Sequence, residues 1–226
     1  MYADFFIGLI KIVLINIVLS GDNAVVIALA CRRLPTNQQK KAVFWGSLGA
    51  VILRVFLTFV AVELLQVPFL KIVGGLLLVY IAINLLKGDE DTNLKASTTL
   101  LGAVRTIIIA DLIMSLDNVV AVAGAAGNNI LLIIIGLAIS IPLIIWGSQL
   151  LMKLMDRFPI IVILGAALLG YTAGEMIVGD DVLHRWIEGL GWAAEKGIPI
   201  ILAVFVVVVG YLMKNKSSKE KDESQN

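Results

Sequence analysis

The chain is poor in the residues that build many familiar sites. Cys31 is its one cysteine and His184 its one histidine. An intrachain disulfide is excluded, and so is a cluster of thiolate or imidazole metal ligands. Charge is scarce as well. Lys and Arg number 18 and Asp and Glu 17, together 15% of 226 residues, for a net charge of +1. Soluble domains carry about 25% charged residues. No Gly-x-x-x-x-Gly-Lys-Ser/Thr pattern is present, so the chain has no P-loop for ATP. No runs of about ten alternating polar and apolar residues appear, which argues against a transmembrane β-barrel. A cleavable leader is not expected either. The first apolar segment carries Asp22 and has no small-residue cleavage site before a polar domain.

What is abundant is apolar sequence: 59% of the residues, with a mean hydropathy of +0.97. It falls in runs of the ~20 residues that span a bilayer core. Seven runs can be traced, at about Phe5–Ala30, Val43–Leu65, Phe69–Leu86, Leu100–Ala123, Ile130–Met152, Ile160–Val178 and Ile198–Met213. The expected fold is all-α, a polytopic membrane protein of seven transmembrane helices. Residues 1–213 would form one membrane domain and 214–226 a basic, disordered tail.

Lys and Arg gather in alternate connections. Arg32, Arg33, Lys40, Lys41, Lys87, Lys95, Lys153, Arg157 and the tail lysines fall on one side, against Lys71, Arg185 and Lys196 on the other. The positive-inside bias places the N-terminus outside and the C-terminus in the cytoplasm of a multi-pass cell-membrane protein. The basic tail reads as a topology anchor, not a nucleic-acid contact. Between Gly179 and Gly197, Val182, Trp186, Leu190 and Trp192 alternate with charged residues, as in a short interfacial helix. His184 reads as an ordinary residue of that connection.

The chain is duplicated. At a spacing of 95, Asn16, Ser20, Asp22 and Asn23 recur as Asp111, Ser115, Asp117 and Asn118. At a spacing of 91, Pro68, Gly74, Tyr80 and Ala82 recur as Pro159, Gly165, Tyr171 and Ala173, and Asn84 is answered by Glu175. Repeat one covers about 5–88 and repeat two about 100–179, with a seventh helix, about 198–213, left over. Three spans per unit reverse the copy, so the architecture expected is a 3+3 inverted repeat plus one helix. In such proteins substrate sites lie near the midplane at the repeat interface.

The two polar stretches are the candidate site. A carboxylate at bilayer depth costs at least ~2.5 kcal/mol on insertion scales, which makes it a functional candidate by default. On a regular helix Asn16, Ser20 and Asn23 share a face, as do Asp111, Ser115 and Asn118. Asp22 and Asp117 point about 100° away and would need a local unwinding to join. Ser20-Gly21 offers one in the first copy; Leu116 makes it less evident in the second. Asp22, Asp111, Asp117, Asn16, Asn23, Asn118, Ser20 and Ser115 supply hard oxygen atoms only. That set suits Mg²⁺, Ca²⁺ or Mn²⁺ and does not choose among them. The plainer reading is interhelical hydrogen bonding, a common task of Ser and Asn in membranes. Arg54, near the centre of the second run, is too costly to stay unpaired. It either neutralises the acidic site or pairs with Glu63 or Glu175. Glu175 is a further accessory ligand or proton carrier on this reading.

At Leu19-Ser20-Gly21-Asp22-Asn23, Ser115-Leu116-Asp117-Asn118, Leu53-Arg54 and Gly74-Gly75 the chain resembles the TerC family of integral membrane proteins, over about residues 5–213. The resemblance implies seven spans and metal export. It singles out manganese, which residue spacing does not. It carries the acidic site onto Asp22, Asn23, Asp111, Asp117 and Asn118. The expectation is a secondary transporter, not an enzyme, exporting Mn²⁺ in exchange for protons. No prosthetic group is expected. The expected partners are the metal substrate, the lipid bilayer and other membrane proteins or further copies of the chain. The competing expectation, also implied by the resemblance, is a partner for assembly or metallation of membrane or secreted proteins.

Overall fold

A computed structural model describes residues 8–15, 20–65, 67–87, 99–126, 130–187 and 192–224. Among them the chain is all-helical. Residues 8–15 form α1. Then follow α2 (Gly21–Cys31), α3 (Thr36–Leu65), α4 (Leu70–Lys87), α5 (Leu100–Ala126), α6 (Ile130–Arg157), α7 (Ile160–Val178), α8 (Asp181–Ile187) and α9 (Trp192–Ser224). Five helices among the described residues, α3, α4, α6, α7 and α9, are long and apolar enough to cross a membrane. Their outward faces fit that solvent: Phe56, Trp146, Ile201 and Leu212 are all more than 60% exposed. Such a density of exposed large apolar groups marks a lipid-facing surface.

The first apolar run is not one continuous helix. Ser20 stands between α1 and α2 with φ −107° and ψ 7°, outside the helical region, and α2 restarts at Gly21. The break expected at Ser20-Gly21 is therefore present on the described side. Asn16 lies outside the described residues. With 11 residues α2 is too short to span a bilayer, yet every residue from Asn23 to Cys31 is buried. A helix apolar on all sides belongs in the centre of a bundle. In the second copy α5 runs through Ser115, Leu116, Asp117 and Asn118 without interruption.

Packing arranges the other helices around α2. The most extensive contacts are α3 with α5, α7 with α9 and α4 with α7, and α2 packs on α6 and α5. Glycines set the closest approaches. A Cβ on Gly75 would lie 2.7 Å from the Ala173 carbonyl oxygen, and one on Gly170 2.9 Å from Cα of Ala203. Gly174 lies against Pro199, and Gly46 and Gly49 admit the side chains of Ile107 and Ile108. Lys71 Nζ donates to the Gly179 carbonyl at 3.2 Å, tying the start of α4 to the end of α7. Arg32 Nη2 donates to the Leu85 carbonyl at 3.4 Å, tying the end of α2 to the end of α4. Helices α4 and α7 are thus antiparallel.

Two features differ from the sequence expectation. The last helix begins at Trp192 and not Ile198, so Trp192 opens α9 instead of joining an interfacial helix; α8 alone holds that place. The helix also carries on to Ser224, through the segment expected to be disordered. Lys, Glu and Ser there include good helix formers, and a helix already nucleated inside the bundle extends at little further cost.

Candidate functional site

Arg54 anchors the polar cluster. Gly46 and Gly49 let α3 approach α5 closely, and Arg54, further along the same helix, then reaches α5 at the level of Asp111 and Ser115. Its side chain is 3% exposed. Nη2 donates to Asp111 Oδ1 at 2.6 Å, Nε donates to Ser115 Oγ at 2.8 Å, and Nη1 donates to Ser20 Oγ at 3.4 Å. The Ser115 hydroxyl donates to Asp111 Oδ2 at 3.1 Å. Asp111 and Ser115 are four residues apart on α5 and so share a face. One guanidinium joins both copies of the repeated motif, Ser20 from the first and Asp111 with Ser115 from the second. Charge-assisted hydrogen bonds are worth about 1.5–3 kcal/mol each, and such a pair needs them to offset its desolvation.

Beside this pair lies a second buried polar group. Asn23 is 3% exposed, and neither its Oδ1 nor its Nδ2 meets a hydrogen-bond partner among the described residues. It lines a cavity of about 10 Å³ together with Val26, Ile27, Ile107, Asp111 and Met114. That is close to the smallest volume that holds a single water. Leaving a buried amide unpaired costs about 1–3 kcal/mol. Asp22, one residue earlier, accepts the Asn23 backbone N–H on Oδ1 at 2.8 Å. It sits in the first turn of α2, where the helix dipole favours negative charge.

The structure therefore gathers Ser20, Arg54, Asp111 and Ser115 by direct hydrogen bonds, with Asn23 facing Asp111. Asn118 is half-buried on α5. Asp117 lies in α5, but its side chain, like that of Glu63, is outside the described residues, and so is Asn16. Among the described residues no three His, Cys, Asp or Glu side chains assemble as a metal site. Glu175 does not join the cluster. It is exposed on α7, with Oε1 3.9 Å from Lys196 Nζ on α9. Among the described residues Arg54 pairs with Asp111, a member of the acidic site, and not with Glu175. The apolar walls Ile107 and Met114 carried no signal, because they are apolar residues inside apolar runs.

The motifs in this cluster fall within a wider match. The model of the integral membrane protein TerC family matches residues 1–218. The chain belongs to the TerC family. A relative described as the uncharacterized membrane protein YjbE of Bacillus subtilis (strain 168) is 46% identical over 209 residues, covering 92% of this chain and 95% of that protein. The uncharacterized membrane protein YceF of the same organism is 26% identical, covering 95% of this chain and 86% of its own length. The UPF0053 protein YegH of Escherichia coli (strain K12) is 27% identical; the match takes in 89% of this chain and 40% of that longer protein. No solved structure matches. As a TerC protein with several apolar helices, the chain is a multi-pass integral membrane protein.

Proposed function

We propose that this TerC protein is a secondary transporter that exports a hard divalent cation, Mn²⁺ first among them, across the cytoplasmic membrane in exchange for protons. The observation that carries the reading is the buried Arg54–Asp111 pair beside the Asn23 amide, which meets no partner among the described residues. A cation that binds Asp111 must displace the guanidinium, since Arg54 already holds Oδ1. Arg54 then acts as the resident counter-charge of the empty site. Its return to Asp111 drives the cation off. Asn23, Asp22, Asp117 and Asn118 would supply further hard oxygens, a ligand chemistry that suits Mn²⁺ and its neighbours.

The seven-span inverted repeat is part of the same proposal, and the helix contacts support it. Helices α4 and α7, equivalent at a spacing of 91, run antiparallel. Span two of each repeat packs on span one of the other, α3 on α5 and α6 on α2. Gly74 of repeat one abuts Ile113 on α5, while Gly165 of repeat two abuts Val25 on α2. Exchanged contacts of this kind are what a pseudo-two-fold axis produces, and the Arg54 cluster lies on that interface. Alternating access would rock one repeat against the other.

The test is cellular manganese under manganese load, with iron, zinc and calcium read in parallel. Cells would make the wild type, Asp22→Asn, Asp111→Asn, Asp117→Asn or no protein, with membrane levels checked for each. Lower manganese with the wild type alone supports export through this site. Equal manganese in all five, with every protein in the membrane, overturns it and favours the assembly or metallation role.

A further inference from the structure

A second cavity lies away from the Arg54 cluster, between α4, α7 and α9. It is about 120 Å³, with apolar walls from Leu86, Val162 and Val207 and a rim of Arg32, Tyr211 and Lys214. Its place in the fold is defined: the end of α2, the end of α4, the start of α7 and the stretch of α9 from Val207 to Lys214 meet there. The cations stand where the apolar sequence of α9 stops. Arg32 is the unusual member. Its Nη2 donates to the Leu85 carbonyl at 3.4 Å, while its Nε is buried and meets no hydrogen-bond partner among the described residues. Burial, with Arg33 adding to it, pushes the Arg32 pKa down to about 10; Asp156 acts the other way. At neutral pH the guanidinium therefore stays charged while partly stripped of water.

We infer that this cleft binds one anionic phospholipid of the adjoining leaflet, its acyl chain along Leu86, Val162 and Val207 and its phosphate at Arg32 and Lys214. The chemistry of the two parts selects that occupant. A soluble anion would leave the apolar walls wet, and an uncharged acyl group would bring no acceptor to the buried Nε of Arg32. A phospholipid satisfies both at once, and basic pockets between transmembrane helices are sites for anionic head groups. Fork geometry suits the guanidinium to phosphate oxygens. Bound there, the lipid would hold the ends of α2, α4, α7 and α9 together.

The full chain, purified in a non-ionic detergent, would be examined by native mass spectrometry and thermal unfolding. Graded phosphatidylglycerol, phosphatidylcholine with the same acyl chains, and inorganic phosphate would be added separately. The expected result is one retained phosphatidylglycerol and a raised melting temperature, with neither effect from the other two additives. Apparent affinity should fall at least tenfold in the Arg32→Gln, Lys214→Gln double variant. Ile163→Trp, which fills the cleft and keeps the charges, should fall as far, and Lys40→Gln on the exposed start of α3 should match the wild type. The reading is of the lipid-induced shift, so a lower starting stability in a variant does not obscure it. Equal phosphatidylglycerol affinity in the double variant overturns the proposal. So does equal binding of phosphatidylcholine, or a full shift from inorganic phosphate alone. None of these outcomes bears on cation export.

Discussion

At the scale of single residues, Arg54 and Asn23 make opposite contributions, and the contrast separates folding from function. Among the described residues Arg54 donates three hydrogen bonds from its guanidinium, so the pair with Asp111 is part of the fold. Removing one partner of a buried ion pair leaves a bare charge and costs about 3–5 kcal/mol. Asn23 is buried and its amide meets no partner among the described residues, so none of the contacts described there gains from it. Asn23→Leu, nearly the same size, should leave thermal stability within about 1 kcal/mol of the wild type, or raise it, because a desolvated amide is removed. The same variant should lose manganese export, while Arg54→Leu should lose stability first. Thermal unfolding in detergent beside the cellular metal assay measures both. A strong loss of stability in Asn23→Leu would mean the amide has a structural partner and would remove the argument that it awaits a ligand. Part of this was legible in the sequence. Asp22 and Asp111 stood out because a carboxylate inside an apolar run must have a reason. That Arg54 meets the acidic site was one of two sequence readings; which carboxylate it meets was not legible, because Asp111 is 57 positions away on another helix and no local spacing encodes that contact.

At the scale of helices, close approach depends on a few glycines. A Cβ on Gly75 would meet the Ala173 carbonyl oxygen and Ile177 Cγ1 at 2.7 and 2.6 Å, whereas one on Gly147 would meet nothing within 4 Å. Backbone cannot rotate away as a side chain tip can, so Gly75→Val must push α4 from α7. Overpacking of this kind costs about 1–3 kcal/mol. Gly174→Val against Pro199 should cost as much between α7 and α9. Gly147→Ala should be neutral or stabilising by up to about 1 kcal/mol, the helix-propensity gain. Melting temperatures of the three variants test this, and a loss in Gly147→Ala equal to that in Gly75→Val would break the link to close packing. The small-residue faces at Gly74-Gly75 and Gly165 were readable from sequence as packing sites, since membrane helices associate through such residues. Which helix each one faces was not. The repeat made α4 and α7 equivalent and its odd number of spans implied opposite directions, but only the Lys71–Gly179 and Gly75–Ala173 contacts show them antiparallel and touching. The helical course of α9 to Ser224 was missed for a related reason. The composition of residues 215–224 resembles that of a disordered tail, and it does not register that a long helix is already formed ahead of it.

At the scale of the whole molecule, the contacts sort the helix ends into two faces. Arg32 binds the end of α4 at Leu85, and Leu86, Pro159 and Lys214 border one cavity with it. Those positions belong to the connections where the sequence concentrates Lys and Arg. Lys71 meets Gly179 at the other face, which α8 follows directly. Sorting is independent of the charge rule, because it rests on packing alone, yet it divides the connections in the same way. The structure leaves the choice of cytoplasmic face to the charge bias, where each Lys or Arg near an anionic leaflet contributes about 1 kcal/mol. That choice yields a direct prediction. Cys31 is fully buried, so Cys31→Ser provides a background free of thiols at modest packing cost. In that background Asp181→Cys, exposed on α8, should react with a membrane-impermeant maleimide in intact cells. Arg33→Cys, exposed in the turn after α2, should react only once the membrane is opened. The reverse pattern would turn the molecule over in the membrane. It would put the Arg32–Lys214 cleft in the outer leaflet and make outward manganese movement begin from the face that carries α8.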